Sequence, residues 1–151
     1  MATFEIELRN QTRKYSVAKF RVLGEKILKA LGWKRAGITL FFVADRGIRR
    51  LNRRYLKHDR PTDVIAFSHL EGAKIACAPA AGRPVPYLGD VVISLQTAAR
   101  MAKQLGYSFE REVTLYLCHG ILHLMGYDDK TRKGSEKMKR KQEQILKTLG
   151  F

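Results

Sequence analysis

Acidic side chains are scarce in this chain: 14 Asp and Glu stand against 29 Lys and Arg among 151 residues, a formal charge of +15. A field of that sign draws polyanions, nucleic acid first and an anionic membrane surface second, and sits badly with an enzyme for small neutral molecules or peptides. Cysteine is scarcer still. Cys77 and Cys118 are too few for a disulfide scaffold and form no Cys-x-x-Cys zinc or redox motif, so a reducing cytoplasm is the expected setting. Long apolar runs are missing. The stretch from Met1 to Asn10 alternates polar and apolar residues, unlike the apolar core of a signal peptide or a membrane span, and no membrane partner is expected. No internal repeat or low-complexity linker divides the chain, and its length and ordinary 45% hydrophobic content suit one domain over residues 1–151.

Histidine is also rare, and two of the four histidines stand together in Cys118-His119-Gly120-Ile121-Leu122-His123-Leu124-Met125-Gly126-Tyr127-Asp128-Asp129. Residues four apart on a helix share one face, so His119 and His123 are placed for a single metal ion. Gly126 can take positive φ and end the helix, after which the chain turns back and presents Asp129 as a third ligand. This is the metal-binding half of the zincin pattern. The general-base Glu of a metalloprotease is absent, because Gly120 follows the first histidine. The metal reading stands and the protease reading falls. The ordinary alternatives are two core histidines on a buried helix and an Asp129 that faces solvent. Cys118, about 100° around the helix from His119, reads as a small buried side chain.

Around this stretch the periodicities alternate between two and 3.6. Phe4, Ile6 and Leu8 mark a half-buried strand; Val17, Phe20, Leu23, Ile27 and Leu31 mark an amphipathic helix of about four turns, with Ser16 as its cap and Gly32 as its stop. Residues 37–43 form an apolar second strand. From Asp45 a short basic helix turns Ile48, Leu51 and Tyr55 inward. Its Arg46, Arg49, Arg50, Arg53 and Arg54 are either a solvated face or a surface that grips phosphate. Strands are expected at 64–67 and 91–94, both opened by an acid, Asp63 and Asp90, with a surface loop from Glu71 to Tyr87 between them. Helices follow at Thr97–Leu105, Ser108–Met125 and Gly134–Leu149.

In Asn52 with Tyr55, Pro61-Thr62-Asp63-Val64, Leu88-Gly89-Asp90-Val91-Val92-Ile93-Ser94, Glu112 and His119-Gly120-x-Leu122-His123-Leu124-x-Gly126-Tyr127-Asp128, the chain resembles the YbeY family of bacterial endoribonucleases and ribosomal RNA maturation factors. The resemblance implies an α+β fold with a mixed, mainly four-stranded sheet packed with about five helices. It also implies zinc on three histidines at the first, fifth and eleventh positions of the last segment. His119 and His123 match; the third position is Asp129, which widens the choice to other divalent ions. A second departure is Leu56, where similar sequences carry an arginine, and Lys57 or Arg60 are the candidates to supply its charge.

The expected function is metal-dependent, single-strand-specific endoribonuclease action in ribosomal RNA processing, with RNA or a ribosomal subunit as partner. Its chemistry would use a water on the metal with no catalytic base assigned, and Asp63 is a candidate either to orient a ligand or to serve structurally at its strand start. The competing reading is a ribosome-associated RNA-binding module whose metal is structural.

Overall fold

The computed structural model describes residues 2–56, 63–69 and 85–151. In chain order the elements are β1 (Thr3–Asn10), α1 (Lys19–Ala30), β2 (Arg35–Val43), α2 (Asp45–Leu56), β3 (Val64–Ser68), β4 (Tyr87–Ser94), α3 (Leu95–Leu105), α4 (Phe109–Leu124) and α5 (Arg132–Thr148). The four strands make one sheet in the order β1-β2-β4-β3. β1 pairs with β2 and β2 with β4 in parallel, while β3 pairs antiparallel with β4. This is the mixed α+β architecture expected.

Alternation along the strands decides what packs where. Ile6 of β1, Ile38, Leu40 and Phe42 of β2, and Leu88, Val91 and Ile93 of β4 share one face. Against it lie Phe20 and Ile27 of α1 and Leu117, Ile121 and Leu124 of α4, in the main core. The other face carries a smaller cluster, Val43, Ile48, Ile65 and Val92, beneath α2. α5 joins the main core through Met138 and Ile145, leaving its Lys- and Arg-rich side outward. Among the described residues no helix is long and apolar enough to cross a membrane.

α4 is buried over most of its circumference, as a helix wedged between a sheet and the three helices α1, α3 and α5 must be. The Ser108 hydroxyl accepts from the Arg111 N–H at its start, and Glu110 and Glu112 complement the positive end of the dipole. At its other end Gly126 adopts φ 94°, where the Tyr127 N–H bonds the Leu122 carbonyl and closes the turn.

Several local expectations are corrected. Ser16 does not cap α1: the N-cap is Ala18, without a side-chain hydrogen bond, because the chain first seats Val17 in the core. Tyr55 is not inward; it stays 54% exposed, carried on the last turn of α2. β4 begins at Tyr87, held by pairing with Gly37, so Asp90 lies within the strand instead of opening it, and the expected loop ends sooner. Residues 71–84 of that loop, with Cys77, lie outside the described residues, as do Pro61 and Thr62. α3 starts at Leu95 on a Ser94 cap and α5 at Arg132 on a Thr131 cap, each two residues early.

α2 is tied to α3 by Asp45, whose carboxylate accepts from the Ser94 and Thr97 hydroxyls, each at 2.6 Å, and from Arg100 at 3.0 Å. Burial opposes ionisation, but these donors outweigh it and hold the carboxyl below its ordinary value of 3.8. Replacing Asp45 with Ala should therefore lower the unfolding free energy by about 2 kcal/mol in urea titrations at neutral pH. A lowered native pKa means that the unfolded chain takes up the proton first. The difference between wild type and variant should hold above pH 3.8 and shrink as the pH falls below it.

Candidate metal centre

His119 and His123 occupy successive turns at the C-terminal end of α4, with their rings 4.5 Å apart at 79°. Their Nε2 atoms face each other at 3.0 Å. Asp129 arrives beyond the Gly126 turn, and its Oδ2 lies 3.8 Å from the first Nε2 and 3.9 Å from the second. Donors about 2.05 Å from a tetrahedral ion sit roughly 3.3 Å from one another. The observed triangle brackets that edge, so the donor set and its spacing fit a zinc-sized ion.

The two neighbouring acids are separated by the turn itself. Asp128 Oδ1 accepts from the Lys130 N–H at 2.6 Å, which spends it on the loop. Asp129 is thereby the acid that faces the histidines. Cys118 is fully buried, and burial pushes its thiol up to about 12, so it stays a neutral packing group as expected.

A contributor that the sequence did not signal is Gln142 of α5. Its side-chain amide meets His119 Nδ1, with Nε2 at 3.1 Å and Oε1 at 3.4 Å. With the amide turned so that its oxygen accepts from an Nδ1–H, this contact would fix the tautomer that directs the Nε2 lone pair toward His123 and Asp129. Burial and the adjacent His123 lower the His119 pKa, against smaller opposing effects of Asp63, Gln142 and Asp129. A lowered pKa favours the neutral imidazole that a metal requires.

Asp63 starts the approach to β3, where its carboxylate accepts from the Val64 N–H at 2.8 Å and its carbonyl from the Ser94 N–H at 3.0 Å. Its charge nevertheless reaches the centre, where it partly offsets the lowering of the His119 pKa and adds to the raising of the Tyr116 pKa. Desolvation is the main cause of the Tyr116 shift, with Asp63 and the buried Glu112 adding to it, and it keeps the phenol protonated. Asp90 belongs elsewhere. On the opposite face of the sheet, it accepts from the Tyr87 hydroxyl and lies 3.5 Å from His69 Nε2.

Arg46, Arg49, Arg50, Arg53 and Arg54 are all exposed on α2, against the sheet face away from α4. They form one basic surface, and the fold does not gather them around the histidines. Lys57 and Arg60 lie outside the described residues.

Similarity to known proteins identifies the family and the fold. The family model described as endoribonuclease YbeY matches residues 5–150. A Geobacter metallireducens protein named endoribonuclease YbeY is 39% identical over 149 residues, covering 96% of this chain and 95% of its own length. Its Pelotomaculum thermopropionicum namesake is 43% identical over 128 residues, covering 84% and 82% respectively. A solution structure from Thermotoga maritima shares the fold with a TM-score of 0.62 at 24% identity, over 96% of this chain and 87% of that one. With the family model spanning nearly the whole sequence and relatives near 40% identity, the chain belongs to the endoribonuclease YbeY family.

Proposed function

We propose that the chain is a metal-dependent endoribonuclease that cuts single-stranded RNA during ribosomal RNA maturation in the cytoplasm, with residues 1–151 working as one domain. The observation that carries it is the convergence of His119 Nε2, His123 Nε2 and an Asp129 oxygen, all within 4.8 Å of one another, in a member of an endoribonuclease family. The proposed ligands are these three, and the proposed ion is zinc. A catalytic role is favoured over a structural one by accessibility: the side chains of His119, His123 and Asp129 are 26%, 31% and 48% exposed. Among the described residues three donors converge, and a tetrahedral ion held by these alone would keep a position for substrate or water, as catalytic zinc sites do.

When bound, the ion supplies Lewis acidity toward a phosphoryl oxygen and lowers the pKa of water. The chain's own residues supply the rest. Gln142 orients His119, Asp63 contributes a negative charge felt at His119, and the arginines of α2 hold phosphates away from the point of cleavage. Asp129 in place of an imidazole adds a negative charge, which weakens the Lewis acid and widens tolerance toward manganese.

Zinc-loaded protein should cleave a labelled single-stranded RNA and spare its duplex. Binding should weaken steeply with salt, with a logarithmic slope of about −0.7 per phosphate neutralised. Cleavage of neither strand form, or affinity indifferent to salt, would reject the function. In competition titrations against a chelator, Asp129→Ala should weaken zinc binding at least about a hundredfold and Asp129→His should restore it. Asp128→Ala should leave it within a few-fold, and a larger loss there than at Asp129 would move the third ligand.

A further inference from the structure

Beside α2, on the sheet face opposite α4, lies a cavity of about 580 Å³, within the range of about 300–1,000 Å³ common to small-ligand sites. Among the described residues, Phe41 of β2, Phe67 of β3 and Tyr55 of α2 give it aromatic walls, and Arg50 and Asp90 supply polar groups. Tyr55 leans edge to face on Phe67 at 5.5 Å and has the Arg54 guanidinium 5.4 Å from its ring centroid. The tyrosine is more than half exposed, so its ring is open to an incoming partner beside the cavity.

We propose that this cavity seats one unpaired base of a bound RNA strand, while the arginines of α2 hold the neighbouring phosphates. The inference rests on the RNA reading above and adds a subsite to it. Three aromatic rings exceed what a phosphate site needs, and five arginines along the same helix are a poor match for an apolar peptide. Aromatic surface and cationic surface side by side are what a single strand offers partners for, because each unpaired nucleotide brings a flat ring face and a charge. Asp90, held by the Tyr87 hydroxyl, adds a fixed acceptor suited to an exocyclic amino group. A paired base shows neither ring face, so the cavity selects single strands without contributing to bond cleavage.

The test compares two fluorescent oligonucleotides of equal length and charge, an oligocytidylate and its abasic ribose-phosphate counterpart, by anisotropy with the intact protein. Wild type should bind the abasic strand about tenfold more weakly, the scale of one lost base stack. Tyr55→Ala should bind the oligocytidylate about tenfold more weakly, leave abasic affinity unchanged and lose the discrimination. Its urea midpoint, matched to wild type, separates this effect from misfolding; were that variant to unfold, Tyr55→Leu should show the same lost discrimination. Discrimination surviving in the folded variant, or salt-dependent binding of both strands equally by wild type, overturns the subsite and leaves the RNA reading standing. Binding of neither strand overturns both.

Discussion

Alanine at His123 should abolish zinc retention and RNA cleavage while leaving the fold in place. In the proposed three-donor site the imidazole is one of two nitrogen donors, and the remaining His119 and Asp129 pair would not hold an ion at the same affinity. Loss of the ion forfeits several kcal/mol of transition-state stabilisation, so cleavage should fall by at least about three powers of ten. The fold should persist because the core side of α4 is built from Leu117, Ile121, Leu122 and Leu124, whereas the His123 side chain is 31% exposed. Metal analysis, cleavage of a labelled strand and circular dichroism on His123→Ala and His119→Ala decide the matter. Full metal occupancy in either variant would reject the assignment, and clean unfolding would give the ion a structural role instead.

The second large effect is expected at Gly120, between the two histidines. A Cβ there would lie 2.4 Å from Val91 Cγ1 and 3.2 Å from Val64 Cγ2, closer than packed carbons come. α4 therefore sits on β4 with no room for even a methyl group, and Gly120→Ala must push the helix off the sheet. We expect a loss of about 3 kcal/mol in urea titrations and weaker zinc binding, since the helix that shifts carries both histidines. Adding Val91→Ala should recover part of the stability, because it removes the atom in the way. A midpoint unchanged by Gly120→Ala would refute the close approach. The same contact explains why no glutamate stands here: residue 120 looks into the sheet, so a metalloprotease base at this position would be buried in packing and directed away from substrate.

How much of this was legible beforehand depends on the distance along the chain over which each feature is decided. The histidine pair was legible because four residues on a helix set their relation, and the Gly126 turn because a single φ angle does. The same holds for β1 and the inward face of α5, where periodicity of two or 3.6 follows from backbone geometry within one element, and β2 was legible as a short apolar run buried on both faces. Tyr55 broke that rule: it lies on the apolar stripe of α2, but the smaller cluster under the helix does not extend far enough to cover it.

Read from the chain alone, then, are the identity and spacing of the candidate ligands, the basic character of α2, the periodicity that makes β1, α1, α2 and α5 amphipathic, and the motifs that mark the family. Tertiary structure alone decided the strand order β1-β2-β4-β3, and with it which side chains face each other across the sheet. It decided that Gln142, 23 residues from His119, meets its ring, because α5 packs beside α4. It decided that Asp128 turns into its own loop while Asp129 faces the histidines, and that α2 carries its arginines to the face opposite α4. The physical reason is common to all of these. Hydrophobic patterning specifies which face of an element is buried, but burial has no direction along the chain, so the neighbour that buries it is selected only when all the elements compete for one core.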